Sequence, residues 1–150
     1  MLIKKYFPLF IIFGVLILDQ SLKVWVKTNY TLGENIFDLG VFRFDFVENP
    51  GMAFGFSFGG LVSKYILGVF RLIAVFFIGK YIFILIKNKA NKAFIVLMCF
   101  IFSGALGNIV DNLFYGLIFS SGTSWNNEIE YWVGYSGVSI LFDGNYGGFL

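Results

Sequence analysis

The sequence predicts an all-α membrane protein: a helical bundle with three transmembrane helices and a small extracytoplasmic β-element. Hydrophobic residues fill 58% of the 150 positions and aromatic residues 21%, whereas charged residues fill 13%, far below the roughly 25% of soluble domains. The mean hydropathy is +0.80. Three apolar runs reach the roughly 20 residues that a membrane-spanning helix needs, and they cover about residues 6–26, 61–86 and 93–119.

The distribution of charge predicts how these helices are oriented. Lys4 and Lys5 precede the first span, and three further lysines fill the short loop at 87–92. The loop at 27–60 holds two basic and four acidic residues, and the tail at 120–150 holds three acidic residues and no basic one. Because basic flanks stay in the cytoplasm, we expect a cytoplasmic N-terminus, a cytoplasmic loop at 87–92, and an outer loop and tail. Residues 1–150 then form a single multi-pass membrane domain.

A cleaved signal peptide is the alternative for the first span, because KKYFPLFIIFGVLIL combines a basic start with an apolar core. No small-residue cleavage site follows it, since the next residues read LDQSLKVWV. The sequence therefore favours a retained helix.

The composition argues against several functions. The single cysteine, Cys99, cannot build a disulfide framework, and the chain has no histidine for Cys/His metal motifs. We therefore expect no metal and no cofactor. The net charge of +2 is small and the lysines are scattered along membrane-flanking positions, so no nucleic-acid partner is expected.

In the outer loop, the spacing of apolar residues changes to the two-residue alternation of a β-strand. In VFRFDFV, residues 41–47, apolar residues alternate with Arg43 and Asp45. Asn49, Pro50 and Gly51 then follow as a turn, because proline fixes φ and glycine permits positive φ. We expect a small β-element here, with Glu48 in a solvated turn, and a weaker strand signal in the tail at 129–142.

Polar residues inside the first two spans need partners. Asp19 and Lys23 lie four residues apart with the acid first, which favours an ion pair on one helix face. Their predicted role is structural. Arg71 lies nearer the outer end of the second span, where an arginine needs water, an acid or a lipid headgroup.

The third span contains a polar stripe. Gly104, Asn108, Asp111 and Tyr115 follow spacings of four, three and four residues, so they share one helix face. Small residues, Gly107 among them, flank the stripe and predict close helix packing. Lipid cannot satisfy polar groups, so we expect the stripe to face helices or a wet cavity. An ionisable group such as Asp111 within a span is by default a functional hypothesis.

Three motifs in order carry a family resemblance. LDQSLK, ENPGMAFGF and GALGNIVD resemble the D-x-x-x-K, N-x-G-x-A-F-G and G-N-x-x-D motifs of the lipoprotein signal peptidases. The resemblance extends from Lys4 onward. It implies a four-helix aspartic endopeptidase of the bacterial inner membrane, which cuts a prolipoprotein just before its diacylglyceryl-modified cysteine. The long insert after FYG is similar to that of members from Bacteroidota and some wall-less bacteria.

The resemblance also implies roles for the residues present. The expected substrate-binding residues are Asn49, Arg71, Asn108 and Asp111. The expected structural residues are Asp19, Lys23, Gly51, Gly104 and Gly107. The implied partners are lipid-modified prolipoprotein signal peptides and membrane lipid, and we expect a monomer.

Two positions depart from the family pattern. Asn112 stands where most members carry arginine. The two catalytic aspartates of the family lie in later V-V-D and F-N-x-A-D segments, and neither segment occurs before Leu150. We therefore expect the catalytic pair beyond Leu150 and assign no catalytic residue within 1–150.

Two other functions stay open. A small transporter or channel subunit would use Asp111 and Arg71 as ion-pathway residues, but the sequence has neither inverted repeats nor proline-interrupted helix pairs. A non-catalytic protein that binds lipopeptide without cutting it is the other alternative. Reading the coding DNA after Leu150 would distinguish it from an enzyme.

Overall fold

A computed structural model describes residues 2–48, 60–126, 128 and 131–142. Within these ranges, only the backbone is considered for residues 2–5, 60–64, 124–125 and 131–132. The elements in chain order are α1 (Leu2–Asn29), β1 (Asn35–Asp38), β2 (Arg43–Asp45), α2 (Gly60–Lys87), α3 (Lys92–Ile118), β3 (Ser124–Asn126) and β4 (Tyr131–Val133).

The three helices confirm the predicted membrane fold class. By length and composition, the segments Tyr6–Asn29, Tyr65–Lys87 and Lys92–Ile118 can each cross a bilayer. Large apolar side chains point outward along them, as with Phe76 at 66% and Phe83 at 68% exposure. Outward-facing apolar side chains are expected for helices in a bilayer, because the surrounding lipid hydrocarbon cannot form hydrogen bonds with polar groups.

The turn between α2 and α3 has a defined hydrogen-bond pattern. The Lys89 N–H donates to the Ile86 carbonyl (3.1 Å) and the Ala90 N–H donates to the Leu85 carbonyl (3.0 Å). These two bonds form a Schellman motif that closes α2. Asn91 then caps α3, because its side-chain oxygen accepts from the Ala93 N–H (2.8 Å). The helices are therefore joined by a short ordered turn.

The chain divides into two compact units. Unit 1 consists of Met1–Leu22 and Gly68–Asp111. Its core is formed by buried residues of α1, α2 and α3, which are Ile12, Ile82, Leu85, Ile95 and Cys99. Cys99 is 0% exposed, so it packs as a small hydrophobic residue, as free cysteines commonly do.

Unit 2 consists of Lys23–Leu67 and Asn112–Leu150 and contains two antiparallel hairpins. In the first, Phe37 lies opposite Phe44, and β2 falls within the strand predicted at 41–47. Its partner β1 was not predicted. In the second hairpin β3 pairs with β4, and β4 falls within the tail region 129–142 that carried the weaker strand signal.

Candidate functional site

Two carboxylates of unit 1 meet at one amide. The Gln20 Nε2 of α1 donates to Asp111 Oδ1 of α3 (2.9 Å) and to Asp19 Oδ2 (3.0 Å). It also lies 3.4 Å from the Gly107 carbonyl oxygen. A carboxamide NH₂ has two hydrogens to donate, so Gln20 links the two acids directly. All three polar side chains are half-buried.

Small residues of α3 allow α1 to approach closely. Gly107 is buried, and a Cβ added to it would overlap Asp19 Oδ2. One turn earlier, the buried Ser103 hydroxyl donates to the Cys99 carbonyl (2.7 Å) and lies 3.3 Å from the Ile12 carbonyl oxygen. The close approach brings Asp19 and Gln20 within reach of α3.

Arg71 of α2 supplies a positive charge near Asp111. Its side chain is half-buried, and the Asp111 carboxylate lies close enough to interact with the guanidinium electrostatically. An arginine inside a span is expensive unless it meets an acid or water. Asp111 therefore interacts with residues from both of the other helices, Gln20 on α1 and Arg71 on α2.

The remaining expected site residues lie as follows. Asn108 is exposed on α3, and Gly104 is exposed with no described atom within 4 Å of an added Cβ. Lys23 is half-buried and belongs to unit 2. Asn49 and Gly51 lie outside the described residues, so the substrate-binding role of Asn49 and the structural role of Gly51 stay predictions.

Unit 2 contains a second polar cluster, and it corrects the expectation that Glu48 lies in a solvated turn. The Glu48 side chain is 12% exposed and forms an ion pair with Lys27, which is 4% exposed. The Tyr135 hydroxyl donates to Glu48 Oε1 (2.8 Å) and accepts from Lys27 Nζ (3.0 Å). The prediction was wrong because these partners come from α1 and from the tail, far away in sequence.

Further contacts enclose this cluster. The Thr123 N–H donates to Glu48 Oε2 (3.1 Å). Lys27 Nζ lies 5.2 Å from the ring centroid of Phe119 and 4.6 Å from that of Tyr135, within the range of cation–π attraction. Burial raises the pKa of the Tyr135 hydroxyl, and its hydrogen bond to Glu48 raises it further. Tyr135 therefore stays protonated and keeps its hydroxyl hydrogen for Glu48 in the physiological pH range.

Sequence reasoning missed Gln20, Lys27 and Tyr135. Gln20 could have been found, because an amide beside Asp19 in an apolar helix needs a partner as much as the acid does. Tyr135 gave no such signal, since aromatic residues are frequent throughout the tail. Among the described ranges 2–48, 60–126, 128 and 131–142, no group of three or more potential metal ligands occurs.

The polar cluster on Asp111 lies within the segment that resembles a known family. The family model for signal peptidase (SPase) II matches residues 11–126. The chain belongs to the signal peptidase II family. The match includes α1 from Ile11 onward and all of α2 and α3, and it confirms the resemblance found in the three sequence motifs.

Curated relatives agree with this family. The lipoprotein signal peptidase of Porphyromonas gingivalis is 41% identical over 107 residues, which is 71% of this chain and 46% of the relative. That of Amoebophilus asiaticus is 39% identical over 106 residues, 68% of this chain and 45% of the relative. That of Syntrophus aciditrophicus is 34% identical over 118 residues, 75% of this chain and 72% of the relative. The chain thus spans about half the length of the first two signal peptidase II relatives. No solved structure matches the chain.

Proposed function

We propose that residues 1–150 supply substrate-binding residues of a lipoprotein signal peptidase, an intramembrane aspartic endopeptidase of the bacterial cytoplasmic membrane. Its substrates are prolipoproteins with a diacylglyceryl-modified cysteine, and it removes their signal peptides. The observation that supports this most strongly is Asp111 of the G-N-x-x-D motif, held by Gln20 and close to Arg71 inside unit 1. The names of the relatives support the same activity.

Amide hydrolysis by an aspartic enzyme uses two carboxylates around one water. One carboxylate takes a proton from the water, and the other acid gives a proton to the leaving amine. Two carboxyl groups that lie this close share one proton, because they repel each other when both are ionised. The Gln20 amide donates a hydrogen bond to each of Asp19 and Asp111 and so links the two acids. We therefore assign these two acids to shaping the site, and we assign no catalytic residue within 1–150.

The residues within 1–150 then bind and orient the substrate. Asn108, exposed on α3, can offer both an amide donor and a carbonyl acceptor to a peptide backbone. Arg71 provides a cation for a carbonyl or a lipid ester oxygen. Asn49 adds a second amide in the outer loop. Gln20 positions Asp111 for these contacts.

The proposed activity is tested by release of the signal peptide from a lipid-modified prolipoprotein in nanodiscs. We expect the 150-residue chain to bind the lipopeptide weakly or not at all and to leave it intact. If the reading frame continues after Leu150, the chain extended through it should cleave the lipopeptide. In the extended chain, Asp111→Asn should lower cleavage strongly, and Glu128→Gln, an exposed acid of the tail, should not.

Three outcomes would change this assignment. Cleavage by the 150-residue chain that Asp111→Asn abolishes would make Asp111 a catalytic residue. Tight binding without cleavage by both chains would favour the non-catalytic lipopeptide-binding protein. A cation flux through vesicles that depends on Asp111 and Arg71, with no lipopeptide binding, would favour the transporter.

The orientation in the membrane is a separate prediction from the distribution of lysines. In a Cys99→Ala background, cysteines placed at Asn88 and at Asn126 should react with a membrane-impermeant thiol reagent from opposite sides. Asn88 lies in the lysine-rich turn, which the positive-inside rule keeps in the cytoplasm. Labelling of both positions from the same side would contradict the three-span topology.

A further inference from the structure

A cavity of about 390 Å³ lies in unit 1, beside the turn that joins α2 and α3. Most of its lining is apolar and comes from Phe7, Pro8, Ile86, Ala90 and Ile95. Pro8 and Ile95 are buried, whereas Phe7 is 44% exposed. The volume lies within the roughly 300–1,000 Å³ of typical ligand sites. A cavity of this composition suits a hydrocarbon chain.

Two lysines complete the lining of this cavity. Lys89 and Lys92 both contribute to it, and both are exposed, so their ammonium groups can reach a ligand and water together. Lys92 is also the first residue of α3. The positive end of a helix dipole adds to the attraction for an anion there.

Lys89 has a backbone conformation that its side chain disfavours. Its φ is 52°, in the left-handed region, at the position of the Schellman motif where glycine is the usual residue. A lysine there has a less favourable backbone than glycine would. Strained positions of this kind are concentrated at ligand sites. Helix capping alone would therefore favour glycine at this position.

We propose that this cavity binds an anionic glycerophospholipid, with an acyl chain against the apolar lining and the headgroup phosphate at Lys89 and Lys92. Three spans and the lysine-rich turn place the cavity at a bilayer surface, where this lipid class is present. Anionic lipids concentrate in the cytoplasmic leaflet, and basic pockets between transmembrane helices on that side bind their headgroups. The site does not depend on the proposed peptidase activity.

The lipid site is tested with the purified chain in detergent, by native mass spectrometry during titration with phosphatidylglycerol. Phosphatidylcholine with the same acyl chains serves as the zwitterionic comparison. We expect phosphatidylglycerol to bind at least about tenfold more tightly, because each lysine near a phosphate contributes roughly fivefold. Inorganic phosphate, added as a competitor, should displace the lipid poorly because it lacks an acyl chain.

Variants in the α2–α3 turn distinguish lipid binding in the cavity from general attraction by surface lysines. Lys89→Gln and Lys92→Gln should each lower the affinity for phosphatidylglycerol several-fold. Lys87→Gln is the matched control, because Lys87 is exposed in the same turn but does not line the cavity. Ala90→Phe should fill the cavity and weaken the binding of both lipids.

Lys89→Gly distinguishes ligand binding from capping. Glycine relieves the left-handed backbone, so the melting temperature should rise while phosphatidylglycerol binding falls. A purely structural Lys89 would leave lipid binding unchanged. Equal binding of the two phospholipids, equal effects of Lys87→Gln and the double Lys89→Gln/Lys92→Gln variant, or equally tight binding of inorganic phosphate would overturn the proposal.

Discussion

Glu48→Ala should lower the free energy of unfolding by about 3–5 kcal/mol, the usual cost of removing one partner of a buried ion pair. The Lys27 side chain is 4% exposed and pairs with Glu48. Without the acid, its ammonium group stays among Phe119, Tyr135 and α1 with one hydroxyl as its remaining described side-chain acceptor. An uncompensated charge in such surroundings loses most of its solvation. Unfolding in mixed detergent with rising dodecyl sulfate measures this effect.

Glu128→Ala is the control for Glu48→Ala, because Glu128 is exposed and an exposed substitution usually changes stability by within about 0.5 kcal/mol. A Lys27→Met/Glu48→Leu double variant should recover much of the loss, since apolar pairs often replace buried ion pairs at little cost. If Glu48→Ala behaved like Glu128→Ala, Glu48 would be solvated, as the sequence alone suggested.

The end of α1 shows why the sequence predicted the spans well but not their limits. Hydropathy ended the first span at Val26, because a charged lysine follows. The helix continues to Asn29, since Lys27 is buried against Glu48 and does not need water there. Local composition indicates where a helix is apolar. It does not show that an acid far away in sequence, such as Glu48, will pair with a lysine at the helix end.

The candidate site shows the same limit. The spacing of α3 correctly marked Asp111 as a polar group that lipid cannot satisfy, and it interacts with Gln20 and Arg71. The spacing did not identify those partners. Gln20 lies 91 residues from Asp111 in sequence, so no spacing rule within one helix could connect them. The predicted ion pair between Asp19 and Lys23 stays a prediction. Contacts between helices depend on their rotation and depth, which periodicity within one helix does not determine.

Gly107→Ala should destabilise the protein by up to about 2 kcal/mol. Overfilling a packed site costs about 1–3 kcal/mol, and the gain of alanine over glycine in a helix interior, about 0.5–1 kcal/mol, offsets part of that cost. The added methyl group would overlap Asp19 Oδ2, so Asp19 or α1 would have to shift. That shift would weaken the Gln20 bonds to Asp19 and Asp111. In the extended chain, signal-peptide release should therefore fall as well, because Gln20 positions Asp111.

Gly104→Ala is the matched control on the same helix, three residues away. No described atom lies within 4 Å of its added Cβ. Alanine is favoured over glycine in a helix interior by about 0.5–1 kcal/mol, so Gly104→Ala should be neutral or stabilising. Equal losses in the two variants would instead support the sequence expectation that Gly104 is a packing position.

A double-mutant cycle identifies the cause of the Gly107→Ala loss. Asp19→Ala removes the carboxylate that the new methyl group would overlap. In that background, Gly107→Ala should cost less, by a coupling energy of about 0.5–3 kcal/mol, as residues in direct contact show. A coupling near zero would mean that the glycine is required by the α3 backbone and not by the approach of Asp19. The polar cluster would then have to be held together without the close contact between α1 and α3.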